Sequence, residues 1–292
     1  MQQNIIITGA GGGFGKLTTL ALAQAGHNVV GTLRDIEGRN RVVAAELRGA
    51  GVALVDMDVT SDASVEAGMA AALDKLGGRL DVVINNAGYG VMGLQESFTP
   101  EDWQKLFDIN VFGMVRVNRA ALPTLRAQRR GLLVHVSSLL GRMVLPFYGP
   151  YNASKWAVEA MAESYRVELG GFGVESVIVE PGGYLTGFID NLIKPTDQGR
   201  DAGYGPMAQA PQHALESFET ALKSNPEQDP RKVAQAIVDL IATPAGQRPV
   251  RTAVDFTGMA SQVTPYNDQL EQIMQNVYGA FGIGGMLKPS VG

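Results

Sequence analysis

The chain is expected to fold as an α/β protein: a doubly wound, mainly parallel sheet of seven strands with helices on both faces. Two observations carry this. Short apolar runs alternate with longer helical stretches, the pattern of strand–helix–strand units. Glycine is over-used, at 36 of 292 residues, without a Gly-X-Y period, so the excess serves loops that approach a ligand.

The elements follow in order. Residues 4–8, centred on Ile5-Ile6-Ile7, read as the first strand, and the helix 14–25 follows a glycine cluster, with Gly26 as its stop. Residues 28–33 form the second strand, 36–48 an amphipathic helix, 52–59 the third strand, 62–76 an alanine-rich helix and 80–85 the fourth strand. Thr99-Pro100-Glu101-Asp102 opens a helix with an N-cap hydroxyl, proline at the first position and acids at the positive helix end. That helix is expected to reach about residue 130, interrupted near Pro123. A fifth strand at 132–136, a helix at 151–169, a sixth strand at 174–180, a helix from Asp229-Pro230 to about 241 and a last strand at 252–256 complete the pattern. Residues 187–228 read as a mobile, variable substrate-loop region with short helices such as 212–222, expected to close over the substrate, within one domain spanning 1–292. The tail 278–292, with Phe281 and Met286, reads as a cover for a neighbour's site or as disordered.

Composition narrows the chemistry. The chain lacks cysteine, which excludes disulfides, iron–sulfur clusters and thiol catalysis. His27, His135 and His213 form no ligand-spaced pair, so no metal is expected. A net charge of −5 without a basic run gives no footprint for nucleic acid. The absence of a signal-like start or an 18-residue apolar run points to a cytoplasmic protein off the membrane.

Gly9, Gly11, Gly12, Gly13 and Gly15, with Phe14 among them, join the first strand to the first helix. Such a turn brings backbone N–H groups and the positive helix end to a pyrophosphate, which makes the sheet Rossmann-like. At the second strand's tip, Thr32 and Leu33 leave no acid to bind a ribose hydroxyl. Arg34 follows and suits a 2′-phosphate, which favours NADP(H) over NAD(H). Tyr151 and Lys155 are four residues apart on one helix and share a face. An ammonium beside a phenol favours phenolate, so Tyr151 is a candidate acid/base. Ser138 ends the fifth strand.

On these motifs the chain resembles the short-chain dehydrogenase/reductase family, in its compact single-domain branch. Thr8-x-x-x-x-Gly13-x-Gly15, Asp58-Val59, Asn85-Asn86-Ala87-Gly88, Asn110, Ser138, Tyr151-Asn152-Ala153-Ser154-Lys155 and Pro181-Gly182-x-x-x-Thr186 occur in the family's order, clearly over about residues 4–190. The resemblance implies a catalytic set of Asn110, Ser138, Tyr151 and Lys155. It implies cofactor contacts from the glycine turn, Asp58, Val59, Asn85, Ala87, Gly88, Tyr151, Lys155, Pro181, Gly182, Tyr184 and Thr186. Tyr184 stands where the family often has a small aliphatic residue. It also implies that Lys155 lowers the Tyr151 pKa and that Asn110 supports a proton-relay water.

The segment between Ser138 and Tyr151 supplies Met143, Leu145, Phe147 and Tyr148 for a substrate site. Tyr184 and Phe188 join them, with Tyr89, Val91 and Met92 beyond the fourth strand. This lining is apolar, so the expected substrate is a small-to-medium hydrophobic ketone, aldehyde or alcohol. The alternatives are an NAD-dependent alcohol dehydrogenase of the same family and a non-catalytic NADP(H)-sensing protein. A homodimer or homotetramer is expected.

Overall fold

The computed structural model describes residues 1–288 and Ser290. The end of the 278–292 tail, at Pro289, Val291 and Gly292, lies outside the described residues.

Among the described residues seven strands are present: β1 (Asn4–Thr8), β2 (Asn28–Leu33), β3 (Ala53–Asp56), β4 (Val82–Asn85), β5 (Gly131–Val136), β6 (Val174–Pro181) and β7 (Arg251–Val254). They pair in the order β3-β2-β1-β4-β5-β6-β7, and all six pairings are parallel. The chain reverses its winding direction between β1 and β4. In such sheets ligands bind beyond the strand carboxyl ends at that point. The central strands carry apolar side chains on both faces, as a sheet covered on both sides requires. Ile5 and Ile7 belong to one core cluster and Ile6 to the other.

The helices are α1 (Gly13–Gln24), α2 (Arg41–Gly49), α3 (Asp62–Lys75), α4 (Pro100–Phe107), α5 (Gly113–Gln128), α6 (Gly149–Gly170), α7 (Gly187–Asp190), α8 (Ala210–Lys223), α9 (Arg231–Ala242) and α10 (Met259–Ala280). Thr99 and Asp102 form a reciprocal capping box at α4, as the sequence predicts.

Three expectations need correction, and the 187–228 region carries the helix expected at 212–222 as α8. The helix placed at 36–48 starts only at Arg41, because Asp35 takes a left-handed backbone (φ 51°) and its carboxylate holds the Arg39 N–H. The stretch 100–128 is interrupted not at Pro123, which lies inside α5, but by a π-helical turn at Asp108–Phe112. Apolar burial on either side of Pro123, at Ala121 and Leu125, holds that helix together. The region 187–228 is strapped to residues 90–102. Ile193 N–H donates to Gly90 O at 3.0 Å, and Thr196 donates to Asp102 through both its N–H (3.1 Å) and its hydroxyl (2.8 Å). Arg200 and Tyr204 both reach Glu96 at 2.9 Å. Finally, α10 is a 22-residue helix that the sequence pattern did not predict; Pro265 inside it and only two buried residues, Val263 and Asn267, blur its periodicity. Among the described residues no helix is long and apolar enough to cross a membrane.

Candidate active site

The turn after β1 is built by close approach. A Cβ on Gly15 would lie 2.2 Å from Gly9 O, and Gly9 has φ +69° with the Ala87 backbone against it. These two glycines let the β1 and β4 turns touch. Thr8 Oγ1 accepts the N–H groups of Asn86 (3.0 Å) and Ala87 (3.1 Å), and Asn86 Nδ2 donates to Thr8 O at 2.9 Å. Thr8 and Asn86 therefore hold the two turns together. Neither was singled out as a site residue, although both lie inside the quoted motifs.

The N-terminus of α1 is open. Its N-cap, Gly12, offers no side-chain cap, and the first turn holds no acid. A Cβ on Gly12 would meet nothing within 4 Å. Free N–H groups, a positive helix end and empty space in front form a fitting seat for a pyrophosphate, so the residues suit a dinucleotide.

This turn faces a cavity of about 540 Å³. Gly9, Gly12, Gly13, Phe14 and Gly88 line it with Pro181, Gly182, Tyr184 and Thr186. Ser138, Tyr151 and Lys155 stand on its wall, and Leu145, Phe147, Tyr148 and Phe188 supply its apolar surface. Tyr89, Asn86 and Met92 also line it, whereas Met143 and Val91 do not. The Met143 expectation is therefore corrected: at 139–141 the chain winds into a short 3₁₀ turn, and Leu139 and Leu140 take the place in the wall. Three further wall residues, Ala214, Phe218 and Met259, come from α8 and α10. Ala214 and Phe218 fall in the 187–228 region expected to close over the substrate, whereas Met259 opens α10, which the sequence pattern did not predict.

Other expected site residues lie off this cavity. Thr32 is buried, and its carbonyl accepts the Ala10 N–H at 3.0 Å. Gly11 faces Leu33, whose side chain lies 2.9 Å from a built Cβ. Arg34 sits 3.8 Å from Asp58, both half-exposed. Burial would raise the Asp58 carboxyl, but hydrogen bonds from Thr60 and the charges of Arg34 and Arg39 hold it below its ordinary value. Arg39 is thus a second cation at this rim, placed there by the Asp35 turn. Asn85 turns inward: its Nδ2 donates to Asn118 at 2.8 Å, below the cavity floor. Val59 packs against Gly113.

Asn110 lies in the π-helical turn and is fully used. Its Oδ1 accepts the Tyr89 N–H (3.1 Å), and its Nδ2 donates to Tyr89 O (3.0 Å) and Ser154 Oγ (3.1 Å). A small cavity of about 10 Å³ lies between Asn110, Asn85, Ala87, Val136 and Lys155, the size of roughly one water. Lys155 Nζ donates to Val136 O at 2.9 Å and lies 5.6 Å from the Tyr151 ring centre.

Burial dominates the acid–base balance. It pushes the Tyr151 phenol above its ordinary value, with the adjacent Ser138 hydroxyl pulling the other way. It pulls Lys155 down to about 8, against the charge of Glu159. The expected lowering of Tyr151 by Lys155 is absent from this balance. The shared helix face brings the two side chains together, but Nζ is turned to a carbonyl and both groups are desolvated. Phe188 covers Tyr151 at a ring distance of 5.5 Å. Tyr184 gives its hydroxyl to Val254 O (3.0 Å) and its ring to Phe14, so it presents an apolar face.

Comparison with known proteins agrees with this geometry. The family model for short chain dehydrogenases matches residues 3–196. The chain is 36% identical to 3-ketodihydrosphingosine reductase of Bacteroides thetaiotaomicron, over 82% of this chain and 84% of that one. It is 33% identical to retinol dehydrogenase 8 of Bos taurus, over 87% and 83%. A short-chain dehydrogenase/reductase from Burkholderia phymatum, solved in complex with NAD, superposes with a TM-score of 0.74 at 27% identity, covering 93% of this chain and 95% of that one. The chain belongs to the short-chain dehydrogenase/reductase family and is an NAD(P)-dependent oxidoreductase.

Proposed function

We propose that this short-chain dehydrogenase/reductase interconverts a hydrophobic ketone or aldehyde and its alcohol, with Tyr151 as the acid/base and NADP(H) as the preferred cofactor. One observation carries the reading. The phenol of Tyr151, the hydroxyl of Ser138 and the open end of α1 face one apolar cavity. The nicotinamide supplies or accepts the hydride.

The chain's own residues do the rest. Ser138 holds the substrate oxygen by hydrogen bond. Tyr151, kept protonated by burial, gives its proton to the oxygen during reduction. Lys155 keeps a positive charge beneath the phenol and reaches the cofactor ribose. The small cavity lined by Asn110 and Lys155 holds a water that returns the proton. Pro181, Gly182 and Thr186 seat the nicotinamide. The apolar wall excludes water and takes a substrate with few polar groups. The substrates named for the two relatives above, a ketodihydrosphingosine and a retinol, fit that lining. Arg34 and Arg39 together offer the positive rim that a 2′-phosphate needs. The protein would work as a homodimer or homotetramer, closed symmetric assemblies being the common case, which light scattering measures.

The test is a fluorescence titration with NADPH and NADH, on the wild type and on Arg34→Leu. NADPH binding about tenfold tighter, an edge of ~1.4 kcal/mol, and lost in the variant, supports the cofactor assignment. NADH binding equally well moves the search to NAD-linked alcohol oxidation. A screen of hydrophobic ketones with the better cofactor then tests the substrate class, and an absence of turnover on all of them would count against catalysis.

A further inference from the structure

Behind the catalytic helix lies a buried ionic cluster that the mechanism above does not use. Glu159 is one turn beyond Lys155 on α6 and 2% exposed, and Glu180, the residue before Pro181, is 0% exposed. Arg251 on β7 joins them. Its Nε donates to Glu159 Oε2 at 2.9 Å and lies 3.3 Å from Glu180 Oε1, and its Nη2 reaches Glu163. Asn267 on α10 donates to Glu180 Oε2 at 2.7 Å and accepts from Arg142 Nε at 2.8 Å. The Arg142 guanidinium is 4.0 Å from Glu180 and lies over the rings of Tyr266 and Trp156. Beyond the end of β5, the Ser137 hydroxyl and Gly141 close the side facing Glu159.

The cluster therefore touches three elements that frame the site: α6 with Tyr151 and Lys155, the turn after β5 with Ser138, and the end of β6 before the nicotinamide loop. An arginine Nε has a single hydrogen. Arg251 gives it to Glu159, so Glu180 Oε1 is left near the guanidinium without a hydrogen bond. Glu159 Oε1 likewise has no donor, but on its other oxygen Glu159 holds the charged guanidinium N–H, whereas Glu180 holds only the neutral Asn267 amide, so Glu180 is the one that takes a proton. Burial and the charge of Glu159 both push Glu180 in that direction.

We propose that Glu159 is a positioning residue for Lys155: Arg251 fixes it as the ionised member of the cluster, Glu180 takes the proton, and the Glu159 charge keeps Lys155 cationic under the cofactor. This rests on the catalytic reading of Tyr151 and Lys155 given above. The titratable and charged groups facing Glu159 are Lys155 and Glu163 on α6, Glu180 on β6, Arg251 on β7 and Arg142 on the turn before α6. Of these, only Lys155 faces the active-site cavity.

The experiment is the pH profile of carbonyl reduction in Glu159→Gln, Glu159→Asp, Glu180→Gln and Tyr151→Phe, with folding checked by circular dichroism. In Glu159→Gln the alkaline limb moves to lower pH by about one unit or more, because a nearby opposite charge no longer holds the Lys155 proton. Glu159→Asp, which keeps the charge, brings the limb back toward the wild-type position. Glu180→Gln leaves the limb where it was, since that carboxyl is already neutral. If Glu159→Gln is unfolded, Arg251→Gln replaces it. Without the guanidinium Glu159 takes the proton, and the limb moves in the same direction. An unmoved limb in the folded Glu159→Gln or Arg251→Gln variant overturns the proposal, as does a shift in Glu180→Gln equal to that in Glu159→Gln. Tyr151→Phe is the separate control: wild-type turnover there would sink the catalytic reading itself, and this inference with it.

Discussion

Residues 1–186 and the rest of the chain meet across one cavity but are made in different ways. The first part contributes backbone: glycine turns in contact, an uncapped helix end and a Tyr–Lys pair set by helix periodicity. The second contributes side chains and one strand. Phe188 lies on Tyr151, Phe218 and Ala214 come from α8, and Met259 from α10. A site on a rigid sheet edge holds chemistry in register, whereas packed helix faces can change shape by substitution without touching the turn. The first part should therefore decide whether the protein reacts, and the second what it reacts with.

The strongest way to break this division is Tyr151→Phe. Turnover should fall ~10²–10⁴-fold while NAD(P)(H) affinity stays near wild type, because only the transferable proton is lost. A large loss of cofactor binding instead would mean that Tyr151 shapes the site rather than supplying the acid.

Acid separates the two parts in another way. His135, beneath the first part, is fully buried against Asn85 and Ser176, and burial drops its pKa from 6.5 to about 3. The folded state then binds fewer protons than the unfolded chain between those values, so stability falls as pH drops below 6.5. By pH 5 the loss is about 2 kcal/mol. The strap on the second part titrates later. Burial would raise Asp102, but bonds from Thr196 and Thr99 more than offset it and hold the group below 3.8. That contribution is present above 3.8 and is lost as pH falls through the lowered value. Melting curves from pH 7 to 4 should show the first slope, and His135→Gln should flatten it. An unchanged slope in that variant would assign the acid sensitivity elsewhere.

Gly15→Ala tests the backbone contact. Its methyl would meet Gly9 O at 2.2 Å, and forcing the turns apart should cost ~1–3 kcal/mol of stability. Cofactor binding weakens with it, as calorimetric titration would register. The smallest effect is expected from Phe218→Ala. This ring lies 2.0 Å from where a Gly183 Cβ would stand and forms the far wall. Its removal should change preference among substrates of different bulk by about tenfold, the low end of what hydrophobic pocket contacts discriminate. Cofactor affinity should not move. Competition between two ketones in one assay reads this directly, and equal ratios in variant and wild type would remove Phe218 from the specificity wall.

Much of the first part is legible in the amino-acid order. The strands β1, β2, β4 and β5 fall close to where apolar runs place them, and the Thr99–Asp102 cap forms as written. Thr8 and Asn86 are legible too, once the motif is read as a contact between two turns rather than as a string of glycines. The missed features are long-range. The π-helical turn that carries Asn110 depends on how α4 and α5 meet the sheet, and no local residue requires it. Met143 was expected in the wall because it lies between Ser138 and Tyr151, yet a short 3₁₀ turn moves Leu139 and Leu140 there instead.

The sequence by itself determined the parallel sheet, the phosphate-seating turn and the Tyr151–Lys155 face. Each follows from local rules of period, glycine conformation and helix ends. Only the tertiary structure decided which side chains of 187–228 and α10 form the far wall, the buried cluster around Arg251 and the proton balance of Tyr151 and Lys155. Those depend on which distant side chains exclude water from a charge, and desolvation is a property of the whole packed molecule rather than of any segment.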